Sequence, residues 1–399
     1  LALPAFAAAR PLKVGFVTPQ TGPLAIFGEP DAFVLDQFRR ALGDWLDIGG
    51  TRHPVDFIVK DSQSSSNRAS AVAQELIYND EVDLILASST PDTTNPVADQ
   101  AELNGVPCIT NDTPWQPHFF GRQGDPATGF EYTRHFFWGL EDVVEVFLSL
   151  WDATPTNRIV GAMWPNDPDG NGWSNPELGF PKAMAAAGYT LVDPGRYQNM
   201  SDDFSAQISA FKEAGVEIVS GVMIPPDFTT FWTQAAQQGF NPKVVNVAKA
   251  SEFPQAMAAL GERAHGLSVE VWWHKYFPYA SSFTGQTCED LADAYEAATG
   301  QPWTMPLGAK HSLFEVAMDV LGRTQDIDDP ESIAEALRAT SLDTVFGKVD
   351  FNTGPVPGIS KTPLAGGQWQ MTDGKPVLEI VTNSHTPEIP TTGKMIPIS

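Results

Sequence analysis

A chain of 399 residues, 42% of them apolar, can bury one large core or two of ordinary domain size. Its 49 acidic residues against 24 basic ones give a formal charge of −25, a solvated acidic surface. That argues against nucleic acid and anionic membrane surfaces, which both require a basic footprint, and no run approaches the roughly 18 apolar residues of a membrane span.

The opening, LALPAFAAAR, is small and apolar until Arg10-Pro11, and Ala5-Phe6-Ala7 or Ala7-Ala8-Ala9 fits the site that ends a secretory signal. The expectation is a signal remnant over 1–10, cleaved near Ala9, on an exported chain; an ordinary N-terminus is the alternative. A strand follows over 13–17, then a turn rich in Pro and Gly, TPQTGP. Val34, Phe38, Leu42 and Trp45 recur at helical spacing over 31–45. A second strand is predicted over 55–59 and a helix over 68–78.

The stretch 82–120 carries the densest signal. Val82, Leu84, Ile85 and Leu86 form an apolar run of strand length. The small polar turn Ser88-Ser89-Thr90 follows, with Thr90 placed to cap a helix that begins at Pro91. That helix ends near Gly105, and 106–110 is the next strand, closing on Thr110 and Asn111. In a parallel sheet both turns lie at the carboxyl edge, where open α/β sheets bind ligands. The helix N-terminus suits a carboxylate, although a simple capped helix explains the same residues and Asp92 can satisfy the dipole.

The pattern lapses over 121–132 and then restarts. Helices are expected over 141–151, 181–187, after a cap at Ser201/Asp202, over 227–238 and around 254–260. Strands alternate with them over 158–163, 216–222, 244–247 and 267–273. Three helices (290–299, 311–321, 330–339), a segment over 345–351 and a late strand over 377–381 lead into an extended tail rich in Pro and Thr from Ser384. Two β-α passes of this kind predict an α/β protein with two Rossmann-like lobes built on parallel sheets.

Cys108 falls inside an apolar run and reads as a buried small hydrophobe, and Cys288 starts a helix. A bond between them stays open, because spacing cannot show that their Cα atoms approach. The loop Asp167–Asn171 resembles the start of a calcium loop, but Leu178 stands where the bidentate Glu belongs, so a loop at a cleft lip is preferred. No GxSxG, Walker or HExxH motif exists and the seven histidines show no metal spacing. An enzyme, a metal and a cofactor are therefore not expected. Among many aromatic residues, Trp115, Trp164 and Trp173 follow strand ends and are the preferred pocket candidates; Phe136 and Phe137 are assigned to packing.

KVGFVTPQTGPLAIFGE, Asp61 with RASAVAQELIYND, and SSTPDTTNPVADQAELNGVPCIT together resemble the type I periplasmic solute-binding proteins of ABC transporters, in the branched-chain amino-acid (Leu/Ile/Val) class. SDDFSAQISAFKEAGVEIV, QAAQQGF and DTVFGKVDF continue the resemblance in order, over about 13–381. It implies a flytrap of two lobes, 11–135 with 270–345 and 136–269 with 346–383, followed by the tail 384–399. Three crossovers are expected near 134–139, 266–273 and 345–351. It also implies a periplasmic, monomeric receptor that closes on a small molecule and delivers it to the permease subunits of an importer.

The same resemblance places Phe27 on an aromatic wall. Ser89, Thr90 or Pro91 falls at a carboxylate-holding turn, and Asp112 and Pro114 on a second loop after Thr110 and Asn111. In the second lobe Asp169 to Trp173 and Ile224 replace tyrosines. Lys249 falls where the family carries the acid that grips an α-ammonium. If Lys249 faces the cleft, an ammonium beside it costs about 1–4 kcal/mol and an anion gains; the alternative is a lysine turned outward. The expected ligand is accordingly a small carboxylate, aromatic or otherwise apolar, with a branched-chain amino acid or an amide as the alternative. A sensor module of the same fold is the other reading.

Overall fold

The computed structural model describes residues 9–43 and 45–398. The expected signal segment, apart from Ala9 and Arg10, lies outside the described residues. Numbering only the strands of the two main sheets, the chain lays down β1 (Leu12–Thr18), β2 (Val55–Asp61), β3 (Leu84–Ser88), β4 (Cys108–Asn111) and β5 (Thr133–Phe136) in a first sheet. It then builds β6 (Ile159–Met163), β7 (Thr190–Val192), β8 (Ile218–Met223), β9 (Val244–Lys249) and β10 (Ser268–Val271) in a second. Late in the chain β11 (Ile359–Ser360) returns to the first sheet, and β12 (Ala365–Thr372) and β13 (Lys375–Thr382) complete the second.

The first sheet has the order β11-β5-β4-β3-β1-β2 with every pairing parallel, Val14 opposite Leu84 and Ile85 opposite Cys108. The second runs β13-β12-β10-β9-β8-β6-β7, parallel from β10 to β7 and antiparallel at its β12–β13 edge. β3, β8 and β9 are buried along their whole length. Strands covered by helices on both faces have to be continuous apolar runs. Strand order reverses at β1/β3 in one sheet and at β6/β8 in the other, and the carboxyl ends of these strands are where such sheets hold ligands.

The helices form where caps and periodicity agree. Pro91–Leu103 starts on an extended Thr90 with Pro at its first position. Cys288–Thr299 starts on a Thr287/Asp290 capping box. Met305–Arg323 is buried along nearly all of its 19 residues and forms the spine of the first lobe. It begins six residues before the expected 311, and Gly308 explains one local requirement: a Cβ there would sit 2.1 Å from the Trp273 ring. Trp273 in turn donates its indole N–H to the Val345 carbonyl at 3.1 Å.

Three expectations need correction. The third passage between lobes lies at 361–364, between β11 and β12, and not near 345–351. Residues 341–350 are a hairpin, Ser341–Thr344 against Gly347–Asp350, because Gly347 at φ 96° turns the chain back on itself. Residues 346–360 accordingly stay with the first lobe's elements. The helix assigned a cap at Ser201/Asp202 begins at Ser205, whose N–H donates to Asp203 at 2.9 Å. On the bond left open by the sequence, Cys108 and Cys288 are both buried free thiols, each pushed up to about 12 by burial.

Candidate functional site

The carboxyl edges of the two sheets meet around one cavity. The first lobe contributes Phe27 from the short turn Ala25–Gly28, Thr90 and Pro91 at the start of their helix, and Asp112 and Pro114 from the loop after β4. The passage after β5 adds Phe137 and Trp138. The second lobe contributes Asp169 and Trp173 from the short helix Pro168–Trp173, Val222 from β8, and Ala248 and Lys249 from the end of β9. Glu252, Glu270 and Trp272 close it. The space left between these side chains is about 20 Å3, room for about one water molecule.

Local structure explains each placement. Asp167 caps the helix Pro168–Trp173 by accepting from the Gly170 N–H at 2.8 Å, and its other oxygen accepts from the Asn199 amide at 2.8 Å. This use as a cap occupies the loop that resembled a calcium site, and no group of three metal-ligating side chains occurs among the described residues. Asp112 and Lys249 both have φ near +60°, the left-handed region, where the chain turns sharply off β4 and β9. The Lys249 N–H donates to Glu252 Oε1 at 3.1 Å, which folds Glu252 back over the strand end.

The cavity is short of positive charge. Lys249 faces it, but its ammonium is ion-paired with Asp169 and both are buried. Burial alone would lower the Lys249 pKa; the charges of Asp169, Asp167 and Asp92 outweigh that and raise it. Burial raises Asp169 in its turn, against the pull of Lys249. Asp112 is held well above the usual carboxylate range by burial, with Lys310 opposing. Lys310 itself donates to the Ser88 carbonyl at 2.5 Å and stands 3.9 Å from Asp31. Four acids and one committed base therefore line the wall. The expectation that Lys249 favours an anion does not survive this geometry, because its charge is already spent on Asp169.

Among the described residues, several buried polar groups on the wall have no hydrogen-bond partner. The Thr90 hydroxyl makes no capping bond, and the indole N–H groups of Trp138 and Trp173 reach no acceptor. On the opposite side, buried Glu270 lies beside Glu252, and burial together with that carboxyl holds Glu270 well above the usual carboxylate range, protonated and donating to Glu252. Buried polar groups in folded proteins are mostly hydrogen-bonded, and the Thr90 and indole donors face whatever occupies the cavity.

A periplasmic binding protein family model matches residues 11–370, nine-tenths of the chain. The chain belongs to the periplasmic binding protein family. A leucine-, isoleucine-, valine-, threonine- and alanine-binding protein of Pseudomonas aeruginosa is 22% identical, over 86% of this chain and 87% of that one. The crystal structure of the leucine-binding protein LivK from Thermotoga maritima superposes with a TM-score of 0.77 at 19% identity, covering 94% of this chain and 99% of that one. A solute-binding protein of an ABC transporter from Rhodopseudomonas palustris, solved with 3,4-dihydroxybenzoic acid, gives 0.73 at 18% identity, covering 92% and 95%. At these identities the superpositions speak for the two-lobed fold.

Of the thirteen residues singled out from the sequence of this binding protein, seven meet at the cavity: Phe27, Thr90, Pro91, Asp112, Asp169, Trp173 and Lys249. Six do not line it. The Ser89 carbonyl accepts from the Thr113 hydroxyl at 3.1 Å, and the Thr110 hydroxyl bonds the His135 ring at 2.8 Å inside the first lobe. Asn111 donates to the Ala309 carbonyl at 2.8 Å. Trp115 packs on Phe119 and Ile359 and donates to Glu141, and Trp164 lies under the Arg196 guanidinium. Ile224 joins Leu24, Phe27 and Phe253 in an apolar seam between the lobes. Conversely, Phe137, Trp138 and Trp272 line the cavity although the sequence favoured Trp115 and Trp164. Glu252 and Glu270 were not singled out. The available signal was a lone charge within the apolar run LSVEVWW.

Proposed function

We propose that this protein is the extracytoplasmic receptor of an ABC importer, which captures a small organic solute between its lobes and presents it to the permease. The observation that carries the reading is the cavity built jointly from the carboxyl edges of both sheets. The relatives are named for the solutes they bind, and this chain is read as a binding protein and not an enzyme. Thr90, the N-terminus of the helix behind it and the indole N–H groups of Trp138 and Trp173 are donors, so they suit the oxygens of a carboxylate or carbonyl. Phe27, Phe137 and Val222 offer the apolar part of the wall.

Any solute larger than a water molecule enters this space by separation of the lobes and is held by their closure. Closure requires tighter binding to the closed form than to the open one, which contacts from both lobes supply. The Leu24, Phe27, Ile224 and Phe253 seam, with Phe27 and Phe253 edge to face at 4.8 Å, adds apolar contact between the lobes.

Thermal denaturation with a panel of branched-chain amino acids, aromatic and aliphatic carboxylates, amides and quaternary amines tests the reading. At least one class is expected to raise the midpoint by several degrees, because a ligand at 100 times its Kd stabilises by about 2.7 kcal/mol. No shift with any class would contradict it.

A further inference from the structure

A second and larger hollow lies beside the cleft, on the flank of the second crossover. Its volume is about 340 Å3, against about 20 Å3 in the cleft cavity, and pockets of roughly 300–1,000 Å3 are the size that holds small molecules. Both lobes build it. His274 and Tyr276, from the turn that follows β10, and Trp303, just ahead of the long helix, form the first-lobe side. Trp369 of β12 and Pro376 and Leu378 of β13 form the other. Glu252 is the wall that the two spaces share.

The inner faces present rings and not polar atoms. Burial lowers His274 to about 4, so its ring is neutral. Both ring nitrogens are used inside the protein: Nε2 donates to the Leu378 carbonyl at 3.1 Å, and Nδ1 accepts from the Tyr276 N–H at 3.1 Å. Trp369 spends its indole N–H on the Ser251 carbonyl at 2.6 Å. The Trp303 ring meets His274 edge to face at 4.7 Å, which fixes an aromatic corner. Tyr276 and Val377 leave 45% and 39% of their surface exposed here, apolar area that a flat ring would take out of water. The rim is acidic: Glu252, Glu296 and Glu379 stand against Lys275, which is already paired with Asp293 at 3.2 Å. An anion entering this space meets like charge, with the lysine engaged elsewhere.

We propose that this hollow is a second binding site, separate from the cleft, for an aromatic molecule of one or two rings that carries no negative charge. Stacking and edge contacts with Trp303, Tyr276 and His274 hold the ring, and the acidic rim sets the charge that is refused.

Calorimetry on the full chain tests this with indole and benzyl alcohol, and with indole-3-acetate and benzoate as their anionic counterparts. Indole and benzyl alcohol are expected to bind, and Tyr276→Ala and Val377→Glu are each expected to weaken them at least tenfold. Both of these side chains are exposed, so neither change reaches the core, and Tyr276→Ala alone decides the matter if Val377→Glu does not fold. Ala248→Val, which narrows the cleft cavity, is expected to leave the affinity for the neutral rings unchanged. Unchanged affinity in a folded outer variant, or an equal or greater loss in Ala248→Val, places the rings outside this hollow and overturns the second site while the receptor reading stands. No binding of either neutral probe overturns it too. Binding of indole-3-acetate or benzoate as tight as that of the neutral rings, and as sensitive to Tyr276→Ala, overturns the exclusion of anions.

Discussion

Two residues on opposite sides of the cavity have opposite relations to stability. Thr90 holds a buried hydroxyl without a partner, and such a group carries a desolvation penalty of about 1–3 kcal/mol. Thr90→Val should therefore leave the urea midpoint unchanged or raise it, while weakening any ligand that the panel identifies. Asp169 is the reverse case. Removing one partner of a buried ion pair costs about 3–5 kcal/mol, so Asp169→Asn should lower stability by that amount in urea denaturation. A loss below about 1 kcal/mol would show the Lys249–Asp169 pair to be screened as a surface pair is. At this scale the sequence was partly legible. Turn residues after β3 and β4 announced Thr90, Pro91 and Asp112. Ser89, Thr110 and Asn111 belong to the same turns but do not line the cavity, Thr110 and Asn111 bonding their side chains inside the lobe, and one-dimensional spacing does not reveal which way a turn faces. Glu252 reaches the cavity only because β9 ends in a left-handed Lys249, a backbone state that a non-glycine residue does not advertise.

Among the elements, the long helix Met305–Arg323 is packed against the crossover after β10 through Trp273. Gly308 admits the Trp273 ring, so Gly308→Ala should cost about 1–3 kcal/mol through overpacking, measured by urea denaturation; a neutral substitution would mean that the ring is free to move. Two turns further on, Glu315 accepts from the N–H groups of Ser282 at 2.7 Å and Val345 at 3.0 Å. Burial pushes its carboxyl from 4.5 up to about 7. A carboxyl raised on folding stabilises fully below its unfolded pKa, and that contribution is lost as pH rises through the folded value. The stability difference between Glu315→Gln and the wild type should thus shift in favour of the variant between pH 5 and pH 8. A shift in the other direction would show that Glu315 stays charged in the fold. Capped, periodic helices such as Cys288–Thr299 could be read from the residues. The hairpin Leu46–Ile48 with Thr51–His53 could not, nor could β12, whose Ala365-Gly366-Gly367 start lacks the apolar run of a strand. The third crossover was misplaced because the alternation in VFGKVDF fits a hairpin as well as a passage between lobes.

At the scale of the molecule, the two doubly wound sheets follow from alternating strand and helix signals, and the binding edge follows from the sheets. What could not be read was the charge of the cleft. Lys249, seen alone, suggested an anion; set against Asp169, Asp112, Glu252 and Glu270 it leaves the wall acidic. The proposed capture by closure requires contacts from both lobes, so the decisive measurement compares variants on opposite sides of the cleft. Tryptophan fluorescence, with Trp138, Trp173 and Trp272 on the wall, can follow titration of the most stabilising probe into the wild type, Thr90→Val in the first lobe and Ala248→Val in the second. A saturable change is predicted for the wild type, with affinity at least tenfold weaker in each variant. Weakening by the variants of one lobe only, or by neither, would contradict capture between the lobes.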